Sequence, residues 1–185
     1  METEQVGEEH MAKDYLNLIE RALMMGISDN MNSLTESGED IYVFGEFPAT
    51  EELKFPAIIV EHSGSGFEEQ LMGQNVTLGS STGTGEIYGV TYVVHLIVDK
   101  DTQIQVTSGA SSASNVYYKQ RRLLNWLMLN VANSVADLNW DTYEEEDTQI
   151  IERHLQGWSN VGFLPELQWY GASAEFFLTF TNFRT

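Results

Sequence analysis

Three basic residues lie close together in the sequence and form its one concentration of positive charge. Lys119, Arg121 and Arg122 belong to a chain with 9 Lys and Arg against 28 Asp and Glu, so the formal net charge is −19. They fall at the start of a predicted helix, where the helix dipole favours anions over cations. The cluster therefore indicates either a partner outside the chain or pairing with the chain's own acidic residues.

A second copy of the same chain is one such partner. A cationic helix edge that meets an acidic edge of the next copy offsets the repulsion between two strongly acidic subunits. Such a contact joins two different surfaces, so it is heterologous and closes into a ring when the rotation allows. We therefore take Lys119, Arg121 and Arg122 as candidate subunit-interface residues.

The residues that usually carry catalysis or bind metals are scarce. Cysteine is absent, which excludes a thiolate nucleophile, a thiolate zinc site and a disulfide framework. The four histidines have no metal-ligand spacing between them and are His10, His62, His95 and His154. His95 lies among apolar residues of a predicted strand, so we expect a hydrogen-bonded core or interface imidazole. We predict no catalytic residue, no cofactor-binding residue and no metal site.

Three patterns that suggest a site have simpler interpretations. The Gly-rich segment 79–85 lacks the Lys-Ser/Thr ending of a phosphate loop and precedes a strand instead of opening a helix. No Gly-x-Ser-x-Gly segment opens a helix, as a serine hydrolase requires. The glutamate run 144–146 is typical of a solvated loop. A small acidic metal-dependent hydrolase that uses His62, His95 or His154 with nearby carboxylates stays open as an alternative.

Length and composition predict a single folded domain. The chain has 185 residues, of which 42% are hydrophobic, enough for a core without metals or disulfides. We expect a disordered acidic N-terminus over residues 1–11 and one domain over residues 12–185. A sequence pI of about 4.3 disfavours specific nucleic-acid binding. The acidic N-terminus and the absence of a long apolar run favour a soluble intracellular product without a membrane partner.

The order of the predicted elements favours an α+β fold. Apolar spacing predicts a helix from Ala12 to about Gly26 and a long helix over 116–135 that Ser114 or Asn115 caps. Strands are predicted over 41–44, 56–62, 86–98, 149–155 and 169–183, and the 86–98 strand is apolar on both faces and therefore central. We expect flexible Gly/Ser/Thr-rich loops at 63–85 and 103–114, the first of which leaves room for a short strand at 76–78, and a turn at 162–165. Because the strands come in runs, we predict a mainly antiparallel β-sheet flanked by an N-terminal helix and one long central helix.

This layout resembles the tail terminator, or tail-completion, proteins of tailed bacteriophages. The resemblance covers residues 12–183 and rests on the order of the elements: the N-terminal helix, strands at 41–47, 55–60 and 86–98, and the long helix with its segment Tyr118 to Asn125. The long insertion at 63–85 departs from that layout. The resemblance implies an α+β ring subunit, usually of a homo-hexamer, that caps the tail tube and joins the tail to the neck of the head.

The resemblance also implies a set of partners. These are further copies of the chain, the tail tube and/or sheath protein, and a neck or connector protein. DNA passes through such a ring without being specifically bound, and acidic walls suit that passage. The resemblance implies no catalysis and no cofactor, and it implies location in the virion tail or neck after assembly in the host cytoplasm. Another neck ring, a head–tail adaptor or stopper, is the nearest alternative.

Overall fold

Two helices and nine strands make up the described part of the chain. The computed structural model describes residues 15–36, 40–49, 51–67, 74–78, 81–106, 116–138, 148–159 and 162–184. The elements are α1 (Tyr15–Ser33), β1 (Tyr42–Phe44), β2 (Ala57–Phe67), β3 (Gln74–Leu78), β4 (Ser81–Asp99), β5 (Gln103–Val106), β6 (Val116–Lys119), α2 (Gln120–Ala136), β7 (Thr148–Trp158), β8 (Gly162–Leu164) and β9 (Trp169–Arg184). Neither helix is long and apolar enough to cross a membrane.

A single mixed sheet organises the molecule. Its strand order is β1-β2-β4-β9-β7, with β3 paired to β4 and β8 paired to β9. Only the β1–β2 pair is parallel among the described strands, and β5 and β6 form a separate antiparallel hairpin. The predicted α+β class with a mainly antiparallel sheet is therefore confirmed, and β4 is central, as its two apolar faces predict.

The pairing of β4 with β9 sets the two faces of the sheet. The register runs without a break from Thr84 opposite Arg184 to Asp99 opposite Trp169. Because directly opposed residues share a face, alternate positions of both strands form one apolar layer. That layer is buried in the core and contains Val90, Tyr92, Val94, Leu96, Val98, Ala172, Ala174, Phe176, Leu178 and Phe180.

Both helices cover this buried face. The buried side of α2 consists of Leu123, Leu124, Leu127, Val131, Ser134 and Val135. The predicted end of α1 near Gly26 is wrong, because Ile27 and Met31 continue the apolar stripe of Leu23 and are buried in the same core. Gly26 is not a helix stop but a point of close contact. A Cβ there would overlap Leu138 Cδ1, so any larger residue requires that leucine side chain to move.

The predicted start of α2 at residue 116 is also wrong. Residues 116–119 form β6, since Val116, Tyr117 and Tyr118 are β-branched or aromatic and pair with β5. Tyr117 is 49% exposed and not part of the helix core. The N-cap is Lys119, in extended conformation and without a side-chain cap hydrogen bond, whereas the predicted caps Ser114 and Asn115 lie outside the described residues.

The Gly/Ser/Thr-rich segment at 63–85 is largely strand and not the predicted loop. Residues 64–67 of β2 pair with residues 88–91 of β4, and β3 pairs with residues 81–85. Backbone hydrogen bonds to an established strand outweigh a composition that is unfavourable for strands. Residues 68–73 and 79–80 lie outside the described ranges.

Three smaller predictions have mixed outcomes. The predicted loop at 103–114 begins with β5, and its remainder lies outside the described residues. Residues 162–164, predicted as part of a turn, form β8, and the turn follows at 165–168. The predicted disordered N-terminus and the glutamate run at 144–146 fall outside the residues that the structure describes.

Gly26 provides a test of the packing between the helices. Gly26→Ala improves helix propensity by about 1 kcal/mol. It also places a methyl group against Leu138, so we expect a net loss in the free energy of unfolding of about 1 kcal/mol or more. In a Leu138→Ala background the clash is gone, and the same substitution should stabilise. Urea unfolding of the wild type, the two single variants and the double variant gives a double-mutant cycle. If Gly26→Ala destabilises the protein in both backgrounds, a clash with Leu138 is not the cause.

Candidate functional site

The predicted cation cluster lies where a hairpin turns into a helix. Lys119 ends β6 and is the N-cap of α2, while Arg121 and Arg122 follow in the first turn, and all three are exposed. The guanidinium carbon of Arg122 lies 4.4 Å from the centroid of the Tyr118 ring. Gln120 Nε2 donates a hydrogen bond of 3.2 Å to the carbonyl oxygen of Lys100 in the turn after β4. The hairpin and this turn therefore hold the cluster at a fixed position.

No carboxylate of the described residues pairs with the cluster. The first turn of α2 contains no acidic residue. The ion pairs found within the described ranges join His95 to Glu61, Lys100 to Asp101 and His154 to Glu152. Of the two explanations that the sequence leaves open, pairing within the chain finds no example among the described residues.

Arg153 shows what a structural cation looks like in the same fold. Its Nη1 donates to the carbonyl oxygens of Val135 at 3.3 Å and Ala136 at 2.7 Å, in the last turn of α2. Those carbonyls have no partner within the helix, and a positive charge is favourable at this end of the helix dipole. The cations at the start of α2 lie at the unfavourable end of the dipole and satisfy no such carbonyl groups, and the contact of Arg122 with the Tyr118 ring is the one described interaction that a guanidinium of the cluster makes.

The sheet face that points away from the helices, called the open face below, is acidic. Glu61 of β2 and Glu175 of β9 lie on either side of Val93 of β4. Both glutamates are exposed, and Glu61 Oε2 lies 3.0 Å from His95 Nε2 on the same face. Glu152 of β7 lies opposite Thr179 and adds a third exposed carboxylate. The described strand positions of this face contain no Lys or Arg.

Apolar side chains lie between these acids. Val93, Ile97 and Phe177 are only partly buried, whereas Ala57 and Ile59, at β2 positions of the same face, are fully buried. One end of the open face contains a pocket of about 320 Å³. Phe47, which is 55% exposed, and Leu164, which is 51% exposed, form part of its wall, together with His95, Ile97, Ser159 and Ser173. The open face thus combines an apolar depression with an acidic surround.

The three described histidines lie on three different strands: His62 on β2, His95 on β4 and His154 on β7. No group of three or more His, Asp or Glu residues within these ranges is placed to hold a metal ion. His154 lies beside Glu152, and the His62 ring lies 5.6 Å from the Tyr92 ring with a buried Nε2 that lacks a hydrogen-bond partner. His95 makes the predicted hydrogen bond, to Glu61, but its side chain is 29% exposed and does not lie in the core. His10 lies outside the described residues.

No known protein-family model and no curated protein sequence matches the chain. The distribution of charge is the feature of the described residues that bears most directly on function. Among them, one surface carries cations without a carboxylate partner, and the opposite face of the sheet carries carboxylates. The sequence pattern identifies the cations, whereas the acidic face depends on strand register and has no local signal in the sequence.

The two kinds of arginine should differ in their effect on stability. Arg153→Met removes both hydrogen bonds to α2, so we expect a loss of about 1–2 kcal/mol in the free energy of unfolding. Arg122→Met keeps an apolar stem beside Tyr118 and should change stability by about 0.5 kcal/mol or less. Denaturant unfolding of both variants measures the difference. Equal losses contradict the distinction between a cation that stabilises the fold and one that does not.

Proposed function

We propose that this protein is a structural ring subunit of a tailed-bacteriophage virion, a tail terminator that caps the tail tube and joins the tail to the neck. The observation that carries the proposal is the cluster of Lys119, Arg121 and Arg122, exposed and without a carboxylate partner among the described residues of a chain of charge −19. The resemblance in layout supplies the biological setting, and the described fold is compatible with it.

The net charge explains why such a subunit requires matched surfaces. Copies that each carry −19 repel one another as they approach, because salt screens this repulsion only beyond roughly 8–10 Å. A local cationic patch that faces carboxylates converts part of that repulsion into attraction at the contact itself. The open face supplies exposed carboxylates at Glu61, Glu175 and Glu152. A cyclic homo-oligomer, a hexamer in the proposal, is the assembly that such unlike surfaces support.

The same charge supports the role of a conduit. An acidic lumen gives DNA no cation cluster to bind, so DNA crosses the ring without being held. In the proposed role the ring contacts the tail tube and/or sheath protein on one side and a neck or connector protein on the other. We propose no catalytic activity, no cofactor and no membrane partner, and we place the protein in the virion tail or neck after assembly in the host cytoplasm.

Oligomer formation tests the proposal directly. The wild-type protein should form a closed ring, a hexamer, in mass photometry and analytical ultracentrifugation. The double variant Arg121→Glu/Arg122→Glu should shift it towards monomer, because both new carboxylates face an acidic neighbour. Arg21→Glu, at an exposed position of α1, is the charge-matched control for the single variant Arg121→Glu and should retain the ring.

Partner binding tests the finer assignment. The purified ring should bind the ends of tail tubes in a pull-down and in negative-stain images. Binding to the connector and not to tubes assigns the protein to an adaptor or stopper ring instead. A wild-type protein that stays monomeric up to about 1 mM, both alone and in the presence of tubes, contradicts the ring proposal.

A further inference from the structure

The proposed ring leaves open which surface receives the cationic end of α2. We infer that the outer side of α2 in one copy docks on the open face of the main sheet in the next copy, with Leu129 entering the pocket beside Phe47. This inference rests on the proposed function and specifies how its subunits join. Three observations carry it: charge, apolar exposure and spacing.

Charge complementarity selects the open face among the described surfaces. The donor surface carries Arg121 and Arg122 with no acidic residue in the first turn of α2. The receiving surface carries Glu61 and Glu175 on either side of Val93, with no Lys or Arg at its described strand positions. Lys54 lies over the Tyr42 ring at the far β1 edge, away from the Glu175 side. Contact between these two surfaces pairs the cations of α2 with exposed carboxylates.

Apolar exposure points to the same pair of surfaces. Leu129 is 61% exposed on the outer side of α2, between the exposed residues Asn125 and Asn133. An isolated exposed leucine is common on protein surfaces, but this one follows the cationic turn along the same side of the helix. The open face offers an apolar pocket of about 320 Å³ with Phe47 and Leu164 in its wall. A leucine side chain fits that volume and removes its own surface and the pocket wall from water.

The distance between the arginines and Leu129 on α2 matches the distance between the glutamates and the pocket on the open face. Arg122 and Leu129 lie two helical turns apart, which is about 10 Å along the axis. On the open face the pocket covers the His95 and Ile97 positions of β4, two and four residues from Val93. At about 3.3 Å per residue these positions lie roughly 7–13 Å from the row that contains Glu61 and Glu175. A helix laid along β4 therefore brings its arginines to the glutamates and its leucine to the pocket together.

The position of the two surfaces predicts the kind of assembly. The helices pack on the buried face of the sheet, so the outer side of α2 and the open face lie on opposite sides of one subunit. Each copy then contacts two neighbours through different surfaces, which is the heterologous arrangement that closes into a ring when the rotation allows and otherwise continues as an open filament. A two-fold dimer cannot use this contact, because an isologous interface requires the same patch on both partners.

A charge-swap experiment tests the inference. Variant A carries Arg121→Glu/Arg122→Glu, and variant B carries Glu61→Lys/Glu175→Lys. Each alone should be monomeric in mass photometry, since A places acid against acid and B places base against base. An equimolar mixture should recover the wild-type mass as a ring in which A and B alternate. The acidic α2 of A then faces the basic open face of B, and the unchanged α2 of B faces the unchanged open face of A. Circular dichroism and thermal unfolding show whether each variant is folded before mixing.

Charge-matched controls separate local from global effects. Glu36→Lys/Asp40→Lys makes the same change in net charge at two exposed positions outside the open face and should keep the ring. Leu129→Asn should weaken assembly at least tenfold in dissociation constant, whereas Ile151→Asn, at an exposed apolar position of β7, should not.

The outcomes distinguish this inference from the ring proposal. If the wild type forms a ring and folded variant B does so equally well, the receiving surface lies elsewhere and the inference is wrong while the ring proposal stands. If variant B keeps the ring but loses tail-tube binding, the open face binds the tube and not a second copy. If the wild type forms no oligomer under any of these conditions, both proposals fail.

Discussion

The long antiparallel pairing of β4 with β9 is the contact on which the rest of the structure depends. Its continuous register fixes which side chains lie towards α1 and α2 and which lie on the open face. The two helices supply a single covering layer, so the described structure buries one face of the sheet fully and the other only in part. A partly covered apolar face with acidic side chains around it is a surface suited to a partner.

The two ends of α2 differ in their electrostatics. Cations at a helix N-terminus oppose the helix dipole, and in α2 they lack the carboxylates that would offset this cost among the described residues. The C-terminal end of the same helix is stabilised by Arg153 in the ordinary way. The C-terminal end of α2 thus follows the dipole rule, and its N-terminal end departs from it.

Sequence patterns predicted the elements with strong periodicity and missed those formed by pairing. Alternating apolar residues identify β4 and β9, and helical spacing identifies the core of α2. The strand character of residues 63–67 comes from hydrogen bonds to β4, which no local composition indicates. The same limit applies to the site. The cluster at 119–122 is visible in the sequence, but the pairing of Glu61 with His95 and the row across Val93 exist only through strand register.

Site-directed crosslinking tests the central claim, the contact between unlike surfaces of two copies, most directly. The chain has no cysteine, so Arg122→Cys/Glu175→Cys has only two thiols, on opposite sides of the subunit. A short bismaleimide should produce a ladder of covalent oligomers up to the ring on a denaturing gel. Either substitution alone should give little beyond monomer. A double variant that forms rings in solution but gives no ladder, or single variants that crosslink efficiently to dimers, contradict the account.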